Sequence, residues 1–230
     1  MRRFWKDACA VRREDGWSIE LDGRPLRTPV KAELRVPTDG LAEAVAAEWQ
    51  AAAETVDPRA MPLTGLANAA IDHVSPDTDA FAAALAEYGE TDLLCYRAQS
   101  PPALVERHTD VWDPLLAWAR RRFDVDFNVT TDITHIPQPE ATVARLEHAV
   151  AALDAFRLAA LSPLVTIGGS LVAALAVGEG AVGAEEAWQA VTLDERWQLE
   201  QWGSDSEAEA ALELKRRDFL AAARFLALLD

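Results

Sequence analysis

The stretch YGETDLLCYRAQSPPALVERHTDVWDPLLAWARRR, residues 88–122, decides how the rest of the chain is read. It opens on a polar link, Gly89-Glu90-Thr91-Asp92, and then buries a short apolar run, Leu93-Leu94-Cys95-Tyr96. Pro101 and Pro102 follow where a helix can begin, because proline at the first helical position sacrifices no hydrogen bond. The amphipathic segment beyond them carries Trp112 and Trp118. With β-patterned sequence before it and helical sequence after it, this stretch is the place where the two dock. The expected fold is therefore α+β: a small twisted N-terminal β domain with one helix over residues 1–60, then a mainly α-helical domain over residues 61–230.

Upstream, residues 1–37 read as β. Phe4-Trp5-Lys6 and Ala8-Cys9-Ala10-Val11 suggest a first strand, and Glu14-Asp15-Gly16 a turn. Trp17-Ser18-Ile19-Glu20-Leu21 alternates with period two, as a half-buried strand does. Asp22-Gly23 is a hairpin turn, since both residues tolerate positive φ. Arg24 to Val30 is the return strand, kept to an edge by Pro25 and Pro29, with Leu34-Arg35-Val36 as another short strand. Thr38 or Asp39 caps a helix whose apolar face is Leu41, Val45 and Trp49. Met61-Pro62-Leu63-Thr64 starts the next, which closes at Asp72-His73.

Downstream of residue 122, Phe123 to Thr134 has the aromatic and β-branched content of a second β fragment. Helices are expected over roughly 140–152, 153–161, 163–178, 183–203 and 205–229. Pro163 is expected to open the third of these, with Gly168-Gly169-Ser170 inside its apolar run, where the double glycine softens the helix. Gly203 ends the fourth as a C-cap glycine would, and Ser204 or Asp205 caps the fifth.

The 230 residues carry 22 Lys and Arg against 38 Asp and Glu, a net charge of −16. Such a chain repels nucleic-acid phosphates and anionic membrane surfaces, so the expected partner is neutral or basic. The longest apolar run, Leu158 to Val177, is interrupted by Ser162, Pro163, Thr166 and Gly168-Gly169-Ser170, and reads as a buried helix pair rather than a membrane span. Cys9 and Cys95 form no CxxC pair, and nothing after Met1-Arg2-Arg3-Phe4-Trp5 resembles the apolar core of a secretory signal. Reduced thiols, a cytoplasmic location and a monomer are the resulting expectations.

No GxGxxG, Walker, GxSxG or HExxH pattern occurs. The four histidines show no metal-ligand spacing, and no cofactor is expected. A thiol nucleophile at Cys95 with His108 as its base is one conceivable catalytic pair, although a cysteine within an apolar run is ordinarily an inert packing group. In the segment 183–203, Trp188, Val191, Glu195, Gln198 and Trp202 fall on one helical stripe. A buried unpaired carboxylate is costly. Glu195 therefore has a partner inside the fold, or faces a groove open to a ligand, or the stripe is a core edge whose polar members reach water. Residues 185–213 hold nine acidic side chains and one basic, Arg196, and supply a field for a basic partner.

The run Leu193-Asp194-Glu195-Arg196-Trp197-Gln198-Leu199-Glu200-Gln201-Trp202-Gly203 resembles the late signature of the ATP-twelve family. These are assembly chaperones for the alpha subunit of the F-type ATP synthase head. Agreement extends to Arg3-Phe4-Trp5-Lys6, to Leu21-Asp22-Gly23-Arg24-Pro25-Leu26-Arg27-Thr28-Pro29 and to Met61-Pro62-Leu63-Thr64. It continues through Thr91-Asp92-Leu93-Leu94-Cys95-Tyr96-Arg97 and Trp112-Asp113-Pro114-Leu115. The resemblance implies the same α+β architecture, no catalysis, and a bacterial member that holds the unassembled alpha subunit until its beta partner arrives. It also implies partner contacts at Glu195 above all and at Gln198, with Asp194 and Glu200 beside them, and at Trp202 unless that ring belongs to the core. A small cytoplasmic hydrolase using Cys95 and His108, or a general acidic scaffold protein, are the competing readings.

Overall fold

The computed structural model describes residues 2–132, 134–203 and 206–230. The cap expected at Ser204 or Asp205 lies outside them. A small N-terminal antiparallel sheet is followed by a mainly helical region, so the α+β expectation holds. The chain divides into two compact units. The first comprises Met1–Thr78 with the returning segments Asp154–Ala160 and Arg224–Asp230; the second comprises Asp79–Leu153 and Leu161–Ala223.

In the first unit, β2 (Gly16–Leu21) is the central strand. It pairs antiparallel with β1 (Ala8–Arg13), β3 (Arg24–Pro25) and β4 (Arg35–Val36). Ile19 and Leu21 are buried, but so are Ser18 and Glu20, so β2 is covered on both faces rather than half-buried. The return strand expected over Arg24 to Val30 is cut to two residues, as its two prolines foreshadow. Phe4-Trp5-Lys6 is not strand; Trp5 is buried instead, its ring 5.1 Å from that of Trp49. Helix α1 (Asp39–Ala51) buries Leu41, Val45 and Trp49, and Thr38 is its N-cap through Leu41 N. The Glu48 carboxylate accepts from Leu63 N and Thr64 N, each at 2.8 Å, at the start of α2 (Pro62–Ala69). Those amides have no intrahelical acceptor, so Glu48 fills their need from outside.

The second unit is helical. It holds α3 (Thr78–Ala86) from residue 79 on, α4 (Pro102–Phe123), α5 (Glu140–Ala151) and α7 (Leu171–Gly178). It also holds α8 (Ala184–Val191), α9 (Leu193–Trp202), most of α10 (Ser206–Ala227) and the end of α6 (Ala155–Gly168). Pro102 stands in the first turn of α4, as expected. Trp112 is fully buried and its indole N–H donates to Ala190 O at 2.7 Å, tying α4 to α8. Asp92 is fully buried; its carboxylate accepts from Leu94 N and from Val172 N in the first turn of α7.

Further expectations are corrected. Residues 124–132 form no strand: Asp124 ends α4 in the left-handed region at φ 53°, and beyond it only Thr130 makes a bridge, to Tyr96. Pro163 lies inside α6 rather than opening a helix. The break falls at Gly169, φ 68°, after which the Ser170 hydroxyl caps α7 by accepting from Ala173 N at 3.0 Å. The double glycine therefore ends one helix tightly rather than softening it, and a Cβ on Gly168 would meet the Val191 side chain at 3.3 Å. Finally, the helix expected over 183–203 is two helices, separated at Thr192 with φ −108° and ψ 19°.

Candidate functional site

The break at Thr192 divides the predicted stripe. Trp188 and Val191, on α8, are buried. Glu195 and Gln198, on α9, are exposed, and Trp202 is 79% exposed. Leu193 is the one buried residue of α9. A helix that carries two tryptophans and Leu199 yet contributes a single residue to the core leaves a face for something else to cover.

Two grooves flank α9 within the second unit. One, of about 610 Å³, is lined by Asp194, Trp197, Gln198, Gln201 and Trp202 of α9 and faces Tyr96, Pro101, Leu104 and His108. The other, of about 420 Å³, takes Leu193, Arg196 and Glu200 from α9 against Val111, Trp118 and Val182. The structure thus gathers Asp194, Gln198 and Trp202 in one groove and sets Glu200 on the other. Glu195 lines neither; it points to solvent with no hydrogen-bond or ion-pair partner among the described residues. Of the alternatives for its carboxylate, exposure at the surface is the one observed, and no buried charge needs explaining.

Two polar clasps hold α9 to α4. Arg107 Nη1 donates to Glu200 Oε2 at 2.7 Å and its guanidinium lies 4.7 Å from the centre of the Trp197 ring. The second clasp is His108 with Asp194, Nε2 to Oδ1 at 2.7 Å. The His108 ring is 2% exposed and stacks on Trp112 at 3.9 Å. Its other nitrogen, Nδ1, receives the Ala98 N–H at 3.1 Å. A backbone N–H only donates, so Nδ1 keeps its lone pair and the ring proton sits on Nε2, directed at Asp194. The imidazole is neutral in this arrangement, and the Asp194 carboxylate is fixed without being neutralised. Arg97 braces the same region, donating to Leu94 O at 2.7 Å, His108 O at 3.1 Å and Asp113 Oδ1 at 2.8 Å.

The sequence offers His108 only as a base for Cys95; its tie to Asp194 spans 86 positions and no spacing rule reveals it. Its hydrogen bonds go to Asp194 and Ala98, not to Cys95. Cys95 is fully buried, and burial, aided by the nearby Asp92 carboxylate, pushes its thiol up to about 12. A thiol so placed is neither ionised nor reachable, the opposite of what a nucleophile needs. Among the described residues no helix is long and apolar enough to cross a membrane, and no three His, Cys, Asp or Glu side chains are placed to hold a metal ion.

Comparison with known proteins extends over the whole chain. Atp12 from Paracoccus denitrificans has a crystal structure that superposes with a TM-score of 0.95 at 45% identity, covering 100% of this chain and 98% of that one. A structure from Agrobacterium tumefaciens gives 0.95 at 39% identity, covering 100% of this chain and 86% of the other. Protein atp12, mitochondrial, of Schizosaccharomyces pombe is 26% identical over 220 residues, 90% of this chain and 75% of that relative. The profile of the family described as ATP12 chaperone protein matches residues 2–120. That match takes in the N-terminal sheet, the Asp92 segment and most of α4, whereas α9 lies beyond it and is covered by the full-length structural neighbours. On these matches, the chain belongs to the ATP12 family of chaperone proteins.

Proposed function

We propose that this ATP12-family chaperone serves ATP synthase assembly in the cytoplasm by binding the unassembled alpha subunit of the F-type head as a monomer, with no chemical step. The observation that carries this reading is the uncovered face of α9, with Trp202 at 79% exposure beside the 610 Å³ groove. An unassembled subunit exposes an apolar interface that self-associates unless something covers it. Exposed aromatic anchors ringed by polar groups suit a cover that must later be released. Asp194, Gln198 and Trp202 are the groove contacts in this proposal. Glu195 and Glu200 contribute the surrounding negative field, which speeds encounter with a basic client surface.

Capture assays with separately expressed alpha and beta subunits and with an unrelated unfolded protein test this. Selective capture of alpha is the expected result. Capture of none of them, or equal capture of all three, defeats it. Glu195→Lys leaves the melting temperature unchanged and slows association with alpha; a large drop in melting temperature instead would show that Glu195 is structural.

A further inference from the structure

We infer that Asp194, positioned by His108, receives an arginine side chain of the client in the α9 groove; this rests on that groove being the client site. Asp194 is the best-fixed charge in the groove: one oxygen is held by the buried His108 ring and the side chain is still 42% exposed. Its second oxygen has no hydrogen-bond partner among the described residues. Because the ring is in the Nε2–H form, it orients the carboxylate while leaving its charge in place. Asp132 adds a second carboxylate to the lining. Against them stands Arg97, whose side chain is 9% exposed and whose donors already go to Asp113 and to the Leu94 and His108 carbonyls. The groove is therefore left with uncompensated negative charge.

The remaining lining specifies the shape of the cation. Pro101 and Leu104 offer an apolar track for an aliphatic stem, and the exposed indole of Trp202 offers a flat π face. Gln198 and Gln201 supply carbonyl acceptors. A planar guanidinium stacks on indole and spreads several donors in one plane, which an ammonium does not. The free Asp194 oxygen, the amide oxygens and the ring together match that fork. His108 does not touch the client here. It is a positioning residue that keeps Asp194 from swinging out to water.

The test needs no client at first. Amide and indole NMR signals of the full chain are followed during titration with N-acetyl-argininamide, and in parallel with its neutral isostere N-acetyl-citrullinamide. Saturable shifts of the Trp202 indole N–H and the Ala98 amide with the arginine probe, in the millimolar range, and none with citrulline, are expected. Asp194→Asn abolishes them. His108→Asn keeps an acceptor for Ala98 but cuts the tie to Asp194, and weakens the probe several-fold; His108→Gln keeps the tie and retains most of the affinity. Equal shifts from both probes, or no shift from either, overturn the proposal, and so do identical losses in the Asn and Gln variants. With the alpha subunit as ligand, Asp194→Asn weakens binding roughly 10- to 100-fold and flattens its salt dependence; an unchanged affinity also overturns it. Probe binding without alpha binding supports the arginine site and defeats the client assignment instead.

Discussion

The Asp92 carboxylate accepts a hydrogen bond from the Val172 amide at 2.9 Å, across 80 positions of sequence. Its other oxygen accepts from Leu94 N at 3.0 Å. One fully buried side chain thus fixes both the turn before Cys95 and the first turn of α7. Removing it in Asp92→Ala leaves two buried amides unsatisfied, at about 1–3 kcal/mol each. Burial lifts the Asp92 carboxyl from 3.8 to about 6 against the pull of the amides that bond to it. The folded state therefore holds this proton more tightly than the unfolded chain does. The Asp92 titration contributes stability that is full below 3.8 and lost as pH rises through about 6. Urea unfolding of both proteins across this range should show the wild-type advantage over Asp92→Ala shrinking with rising pH, by about 3 kcal/mol in all. An advantage that grows with pH would refute this.

Trp112 and Trp202 should behave in opposite ways. Trp112 is fully buried and bonded to Ala190 O, so Trp112→Ala should cost about 3–5 kcal/mol of stability. Trp202→Ala removes an indole that is 79% exposed and should change stability by no more than about 0.5 kcal/mol. Under the proposed function its effect should fall on alpha-subunit binding, weakened by about tenfold. Thermal melts paired with titration calorimetry separate the two.

The two thiols make a direct chemical contrast. Cys9 is exposed and Cys95 is buried, with its thiol pushed up to about 12. A mild alkylating reagent at neutral pH should label Cys9 and leave Cys95 untouched until denaturant is added, as peptide mass mapping would reveal. Fast labelling of Cys95 in the folded protein would revive the hydrolase reading.

Gly16 and Gly23 both have positive φ, at 128° and 77°, but different surroundings. A Cβ on Gly16 would lie 2.7 Å from the Val36 carbonyl oxygen, a backbone atom that cannot swing away, whereas Gly23 has open space. Gly16→Ala should therefore cost about 2–3 kcal/mol and Gly23→Ala about 1 kcal/mol. Chemical denaturation of the two variants ranks them.

Where local pattern and tertiary packing agree, the sequence is legible. The strand over residues 17–21, the Leu41, Val45 and Trp49 stripe and Pro102 at the start of α4 all read correctly because each fits its neighbours in space, although alternation misjudges the burial of Ser18 and Glu20. The β-like composition after residue 123 misleads because, among the described residues, only the single Tyr96–Thr130 bridge offers it a partner. Its backbone is met by side chains instead: Asn128 N donates to Gln138 Oε1 at 2.9 Å, and Asp126 N to Thr142 Oγ1 at 3.2 Å. The division at Thr192 is hidden because neither glycine nor proline marks it. There the Thr192 hydroxyl bonds back to Trp188 O at 2.7 Å, and the apolar side of α8 is already spent in the core. Thus periodicity groups Gln198 and Trp202 with Glu195, and Asp194 enters only through the family resemblance. That Asp194, Gln198 and Trp202 share a groove with His108, and that Glu195 stands outside it, depends on contacts between distant segments.

The first compact unit is completed by residues 224–230 as well as 154–160. Thr38 Oγ1 donates to Leu228 O at 2.5 Å beside the start of α1, and Arg157 pairs with Asp230 at 2.7 Å. A ribosome makes the sheet and α1 first and these closing pieces long afterwards. Throughout most of its own synthesis, the N-terminal part of this chaperone is an incomplete structure with an unfilled side, the same condition from which, under the proposed function, it protects another chain.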